Sequence, residues 1–393
     1  MPTKVKGTTG VDKIEAGAVI TNPEFSGNAT VTGTLTVNST ASINGSNIST
    51  QPSFRNLIIN GDMKIAQRAT SATASVDNAY KTLDRWKTNF SSGAFTSEQY
   101  SMSSSELQTT GFSKAIKYAC TTAVASPSAS DFVLVRTPLE AQYLQHLQYG
   151  TSSAKTVTLS FWIKSNITGT YGISLWKPDN TSSIIVDSIT ISSANTWEKK
   201  TVSFVGDTAN GVIDDDNGEG LRVSIALMLG TDRVATAGSW MAYAGDFGVS
   251  GNANFMSSTS NTLYLTGVQL EVGENATPFE YRMYSTELAL CQRYYQPVNA
   301  IAGTASNTTA LSTNISFVVP MRATPSISVE SVLKLYDGVT TYTQSSVNAG
   351  SYLGNEYGGL WYSITNFSGL TQYRPYGLNT NANQNVIRAS SEL

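Results

Sequence analysis

From Ala29 to Ile43 (ATVTGTLTVNSTASI) the chain alternates apolar or small residues with Thr, Ser or Asn almost without a break. Side chains on a strand alternate with period two, so Ala29, Val31, Leu35, Val37, Ala41 and Ile43 share one face, and Thr30, Thr32, Thr34, Thr36, Thr40 and Ser42 share the other. One thin apolar stripe needs partners to bury it, and a lone strand or hairpin is marginal in water. Packing copies from identical chains around a common axis is the simplest cover. The pattern therefore predicts a homotrimeric arm with Val31, Leu35, Val37 and Ile43 in its seam. Gly45 to Ser53 (GSNISTQPS) follows as a run of turn formers that reads as a linker.

Beyond Phe54 the pattern changes to short β segments separated by Gly, Asn, Asp and Ser clusters: Phe132–Val135, Val157–Ile163, Tyr171–Trp176, Ile184–Ile191, Trp197–Val205, Leu221–Leu229 and Thr262–Val272. Many short strands with regular turn signals indicate a sandwich or barrel. Strict alternation turns Val157, Leu159, Phe161 and Ile163 inward, with Trp162 on the other face. It likewise turns Leu221, Val223, Ile225, Leu227 and Leu229 inward, with Arg222, Ser224, Ala226 and Met228 away. In Leu265–Gly273 the even positions Tyr264, Val268, Leu270 and Val272 are expected on the core face. At roughly 1.5–3 kcal/mol per buried side chain, such strands supply a substantial part of a core.

Ser285 to Tyr295 (STELALCQRYY) is the best helix candidate, with Ser285 or Thr286 as N-cap, Glu287 in the first turn and Pro297 as the stop. Beyond it the text is again β-like (Asn314–Val319, Ser326–Leu335, Leu360–Phe367) and richer in Tyr, Gly and Asn. The expected organisation is all-β apart from that helix: an arm over 1–55, a sandwich over 56–283, a helical connector over 284–298 and a small β domain over 299–393.

Composition narrows the function. Of 393 residues 13% are charged, so Ser, Thr, Asn and Gly must keep the surface polar, while 10% aromatics are too many for a disordered tail. A net charge of −3 leaves no basic footprint for nucleic acid. No apolar run approaches the ~20 residues of a membrane span, and the N-terminus has no secretory h-region, which points to assembly in a cytoplasm. Cys120 and Cys291 are expected to be buried thiols rather than a disulfide.

The wording of the middle region also carries a resemblance. Asn56-Leu57-Ile58-Ile59-Asn60-Gly61-Asp62-Met63, Leu83-Asp84-Arg85-Trp86, Leu159 to Lys164, Asn195 to Lys200, Asp216-Asn217-Gly218 with Gly220-Leu221, Leu265 to Gly273, Thr277-Pro278-Phe279-Glu280 and Cys291-Gln292-Arg293-Tyr294-Tyr295 occur in that order. This series resembles a family of bacteriophage tail fibre and receptor-binding virion proteins. The resemblance implies a jelly-roll sandwich of the carbohydrate-binding type, exposed on the outside of the virion. It also implies an arm that attaches to other virion proteins through residues 1–55. Asn60-Gly61-Asp62 reads as turn chemistry, and Trp86 and Trp197 as core anchors.

Little in the chain points to catalysis. The single histidine, His146, has no Gly-x-Ser-x-Gly elbow to serve, and a His-rich zinc centre is excluded by count. Two carboxylates could still make a glycosidase, but the chain lacks the long coil-by-coil repeat common in polysaccharide-cleaving tailspikes. The densest acidic run, Asp214-Asp215-Asp216-Asn217-Gly218-Glu219, offers the oxygen ligands hard cations prefer, so Asp214, Asp216 and Glu219 are a candidate Ca²⁺ site, with a solvated turn as the alternative.

Glycan binding needs exposed aromatics flanked by amides and hydroxyls. Strand parity places Trp162 and Trp176 opposite their apolar neighbours. Tyr352, Tyr357, Trp361, Tyr362, Tyr373 and Tyr376, interleaved with Gly and Asn, resemble an adaptable binding surface. The expectation is thus a non-enzymatic fibre protein that binds host surface polysaccharide. The alternatives are a purely structural virion component, such as a head fibre, decoration or tail accessory protein, and a polysaccharide depolymerase.

Overall fold

The computed structural model describes residues 41–43, 46–48, 54–74, 79–298, 302–329, 333–344, 348–355, 359–378 and 387–393. The chain divides into two compact units, Met1–Ser53 and Phe54–Leu393. In the first, β1 (Ala41–Ile43) pairs antiparallel with β2 (Ser46–Ile48), with Ile43 opposite Ser46. The seam residues Val31, Leu35 and Val37 lie outside the described residues.

The second unit is built on two six-stranded sheets. One runs β13-β10-β9-β12-β7-β4, formed by Met241–Ala242, Ser183–Ile191, Gly169–Lys177, Glu219–Leu229, Phe132–Glu140 and Lys87–Phe90. The other runs β11-β8-β14-β6-β5-β3, formed by Glu198–Phe204, Val157–Ser165, Thr262–Val272, Lys114–Thr122, Ala94–Ser101 and Ser71–Ala74. All pairings between these strands are antiparallel, and the two inner faces enclose one hydrophobic core, a jelly-roll β-sandwich. Val157, Leu159, Phe161 and Ile163 lie in that core as their alternation predicts, and so does Trp86, whose indole N–H donates to the Asn60 carbonyl. Asn60 adopts a positive φ of 58° and its side chain bonds Ile65 and Asp84, the turn role expected of it. Cys120 and Cys291 are both buried free thiols.

Parity fails where strands bulge. A register shift between Ala226 and Met228 puts Met228 into the main core and turns Leu229 towards a smaller cluster on the outer face, the reverse of strict alternation. In β14 a shift between Thr266 and Gln269, with Gly267 at φ 61°, sends Leu263, Leu265, Val268 and Leu270 inward. Tyr264 and Val272 are excluded from the core. A Cβ on Gly267 would come within 2.5 Å of the Phe112 ring, so the bulge also needs the missing side chain.

Helix α1 (Ser104–Thr110) went unread from the sequence although its signals are present: Ser103 and Glu106 form a capping box and Gly111 closes the helix in the left-handed region. Helix α2 (Tyr284–Gln292) starts one residue before the expected cap, with Met283 at the N-cap and no side-chain cap. Its Glu287 accepts from the buried Asn60 N–H and pairs with Arg282, which binds the helix to the sandwich. Among the described residues no helix is long and apolar enough to cross a membrane.

After α2 come β15 (Tyr295–Val298), β16 (Ala302–Ala305), β17 (Leu311–Ile315), β18 (Ser326–Val329), β19 (Leu333–Tyr336), β20 (Thr341–Gln344), β21 (Asn348–Asn355), β22 (Gly359–Thr365), β23 (Pro375–Leu378) and β24 (Ile387–Ser390). They form a three-stranded sheet, β15-β24-β18, and a seven-stranded sheet, β20-β19-β23-β16-β17-β22-β21, with a hydrophobic core of their own. This region is tied to the sandwich by buried charge. Glu392 pairs with both Arg68 (2.8 Å) and Arg85, and the two guanidiniums lie over Tyr295 and Tyr294 at 3.7 and 3.6 Å. Arg293 and the Tyr294 hydroxyl both reach the buried Glu140 at 2.6 Å. Removing one member of a buried pair strands the other charge. Glu392→Ala is therefore expected to cost about 3–5 kcal/mol of stability, measured as a fall in the urea midpoint; an unchanged midpoint would show that the contact contributes nothing.

Candidate functional site

The aromatics expected to read a glycan fall into distinct environments. Trp176 points away from the core as parity predicts, yet its ring is not open. The Arg222 guanidinium sits 4.3 Å from its centroid, Tyr243 packs at 5.2 Å, and its indole N–H donates to Ser182 at 2.8 Å. Tyr243 comes from the 230–253 segment, which lies across the outer face of the sheet and also brings Phe247 against Leu134 and Ala226. Trp162 is half-buried on the other sheet, between Lys199 and Thr266 in the strand register.

In the C-terminal region, adjacent residues take opposite roles. Tyr362 and Tyr376, 1% and 2% exposed, are part of the second hydrophobic core, which removes both from the predicted binding surface. The alternation that buries Tyr362 turns Trp361 outward, where it is 57% exposed. Tyr373 is 78% exposed on a turn at φ 65°. Tyr352 lies on β21, and Tyr357 lies outside the described residues.

Trp361 stands on the outward face of the seven-stranded sheet, directly opposite Asn314 of β17. One register step along, Ser363 faces Ser312, which faces Thr304, which faces Pro375. Residues paired across antiparallel strands share a face, so an exposed indole sits beside a carpet of one amide and three hydroxyls. Among the described residues these four polar side chains have no hydrogen-bond partner. The arrangement offers an apolar plate for stacking and adjacent groups that can donate to or accept from a sugar hydroxyl.

The acidic run does not gather into a metal cage. Asp214 accepts from the Asn180 amide at 3.1 Å, Asp216 folds back onto the Gly218 N–H at 2.7 Å, and Glu219 grips Arg222. Among the described residues no three His, Cys, Asp or Glu side chains converge in a way that could hold a metal ion. His146 is exposed on the turn Gln145–Leu147, where desolvation pulls its pKa below the ordinary value. It lines a cavity of about 300 Å³ with Phe54, Tyr143, Glu140, Arg282 and Tyr294, and the carboxylate there, Glu140, is taken by Arg293 and Tyr294.

No family model matches the chain, and no curated protein matches it. Among solved structures it is similar to the enzymatically active domain of tailspike protein 4 of bacteriophage CBA120, at 11% identity and TM-score 0.29, over 56% of this chain and 22% of that one. It thus spans less than a quarter of the tailspike chain. It is also similar to the CBM22-2 xylan-binding domain from Paenibacillus barcinonensis (15% identity, TM-score 0.27, 55% of this chain and 97% of that one). A third likeness is the family 11 carbohydrate-binding module of a cellulosomal cellulase of Clostridium thermocellum (13%, TM-score 0.27, 52% and 97%). The functional reading rests on the chain's own geometry.

One charged cluster was not foreseen. Lys164 lies 2.5 Å from Glu106 and 4.2 Å from the Tyr264 ring centroid, with Trp197 and Tyr100 rings at 5.2 and 5.7 Å. Trp197 is buried here, its indole N–H on Glu106 at 3.0 Å, rather than in the sandwich core. Burial pulls the Glu106 pKa up, but hydrogen bonds from Lys164, Ser103 and Trp197 outweigh it and hold the carboxyl down at about 2. A folded-state pKa below the unfolded value of 4.5 adds stability that is complete above that pH and is lost as the pH falls through about 2. Acid titration of the melting temperature should show this loss, and Glu106→Gln should flatten it over the same window; an identical acid profile in the variant would contradict the assignment.

Proposed function

We propose that the protein is a component of a bacteriophage virion fibre that binds host surface polysaccharide without cleaving it, assembled as a homotrimer and attached to other virion proteins through residues 1–55. The observation that carries the glycan reading is the exposed Trp361 indole on an open sheet face beside Asn314, Ser312, Ser363 and Thr304. A pyranose presents an apolar face of C–H groups and a rim of hydroxyls, and this surface offers a match for both. The virion assignment is supported by the ordered resemblance from Asn56 to Tyr295, and the trimer by the alternating arm.

Weak sites suffice in this arrangement. Three chains per fibre and several fibres per particle can raise avidity by about 10² to 10⁴ over one site. Glu140, Glu219 and Glu392 are each held by arginine, which withdraws these three carboxylates from acid catalysis, since a general acid must be free to give up and regain its proton.

Fluorescently labelled protein should bind intact host cells saturably. Trp361→Ala should weaken that binding by roughly tenfold or more with an unchanged melting temperature, because the side chain lies outside the core. Full binding by a folded Trp361→Ala protein would move the site elsewhere.

A further inference from the structure

Two stretches far apart in sequence meet where the chain enters the Phe54–Leu393 unit. The backbone N–H groups of Arg55 and Asn56 donate to the Glu280 carboxylate at 3.2 and 3.0 Å, and Arg282 donates to the Asn56 and Ile58 carbonyls. Glu280 and Arg282 are therefore turned towards the sandwich, and the apolar residues around them are left outside. Met283 is 76% exposed, and Phe54, Tyr143, Tyr281 and Tyr284 are each more than half exposed. The Arg282 guanidinium lies 5.7 Å from the Phe54 ring centroid, which joins the two stretches into one surface. Phe54 and Tyr143 share the cavity of about 300 Å³ that His146 lines, with Leu57, Ile59, Leu144 and Leu290 as its aliphatic wall.

At about 150–250 Å² for a whole aromatic side chain, the four half-exposed rings alone present on the order of 400 Å². The largest apolar patch on a typical monomer is roughly 300–600 Å², and patches of this size mark interaction surfaces. The charges at its edge are already satisfied within the chain. Arg282 pairs with Glu280 and Glu287 at 3.3 and 3.4 Å, Lys64 with Asp62 at 2.8 Å, and Arg293 with Glu140 at 2.6 Å. A partner covering the patch would strand none of them, which suits the charge-poor core of a protein interface.

Connectivity indicates which partner this is. Residues 1–53 all precede Phe54, so three arms packed about one axis would carry three copies of Phe54, and the apolar surface around it, towards that axis. A closed ring joins two different surfaces of each copy. This patch offers two, the outstanding Met283–Tyr284 pair and the concave surface between Phe54 and Tyr143. We infer that the patch is the contact between neighbouring copies of the Phe54–Leu393 unit, with Met283 and Tyr284 of one copy seated against the cavity beside Phe54 of the next. This rests on the homotrimer reading and names the surface through which its sandwiches meet.

The test is photocrosslinking of the full chain with Met283 replaced by benzoylphenylalanine, with sedimentation of the same preparation giving its mass. Illumination should yield products of two and three chain masses, and peptide mapping should place the new bond within residues 54–59, 139–146 or 290–294 of another chain. The same replacement at Val339, exposed in the C-terminal region, should give no interchain product. Tyr284 is the second position if the Met283 variant fails to fold, as judged by its melting temperature. A trimer that crosslinks only within one chain, into other residues, or equally from Val339 overturns the inference and leaves the trimer reading standing. A monomer overturns both. Crosslinks into the cavity within a dimer uphold the contact and overturn the trimer.

Discussion

The architecture of the Phe54–Leu393 unit depends on a buried meeting of charges, Glu392 between Arg68 and Arg85. Each guanidinium is stacked on a tyrosine that follows helix α2. Arg85 also donates to the Pro138 carbonyl of β7, while Lys87 and Tyr80 reach the Leu393 carbonyl at 2.9 and 3.0 Å. Desolvating this many charges is expensive unless every one is paired, so the arrangement tolerates little adjustment. The segment after α2 is consequently seated on the sandwich through specific partners, and Tyr294 and Tyr295 are buried within that seat.

This seat has a functional consequence. A receptor-reading face gains from multivalency only if its geometry permits several sites to engage at once. The seven-stranded sheet that carries Trp361 belongs to the same compact unit as the sandwich, so the charge contacts limit how far that face can tilt. At the loop end of the sandwich a second buried cation, Lys177, joins the 178–182 and 205–218 loops through the Asp179, Thr181 and Asn210 carbonyls.

Much of this fold is legible in the chain because period-two alternation reports burial directly. Val157 to Ile163 reads correctly residue by residue, and the Thr262–Val272 strand has the expected bounds. The readings that fail do so for local reasons, since a bulge moves Met228 inward and Gly267 shifts the parity of β14. Site residues are harder to read. Parity identifies the outward face of Trp176 but is blind to the loop that brings Tyr243 over it from 67 positions away in sequence. Composition marks Trp361 and Tyr362 alike, although neighbours on one strand must point to opposite faces. The pairs that matter most, Glu392 with Arg85 and Lys177 with Asp207, are ordinary surface-type residues until the fold brings them together.

The central claim, a glycan binder that does not cut, is tested most directly by incubating the full-length protein with purified polysaccharide from a bound host strain, following both cosedimentation and reducing ends. The account predicts that the protein cosediments with the polymer while reducing ends stay at the level of the polymer alone. A rise in reducing ends with time would contradict it and identify a depolymerase, and failure to cosediment would contradict the glycan-binding half of the claim.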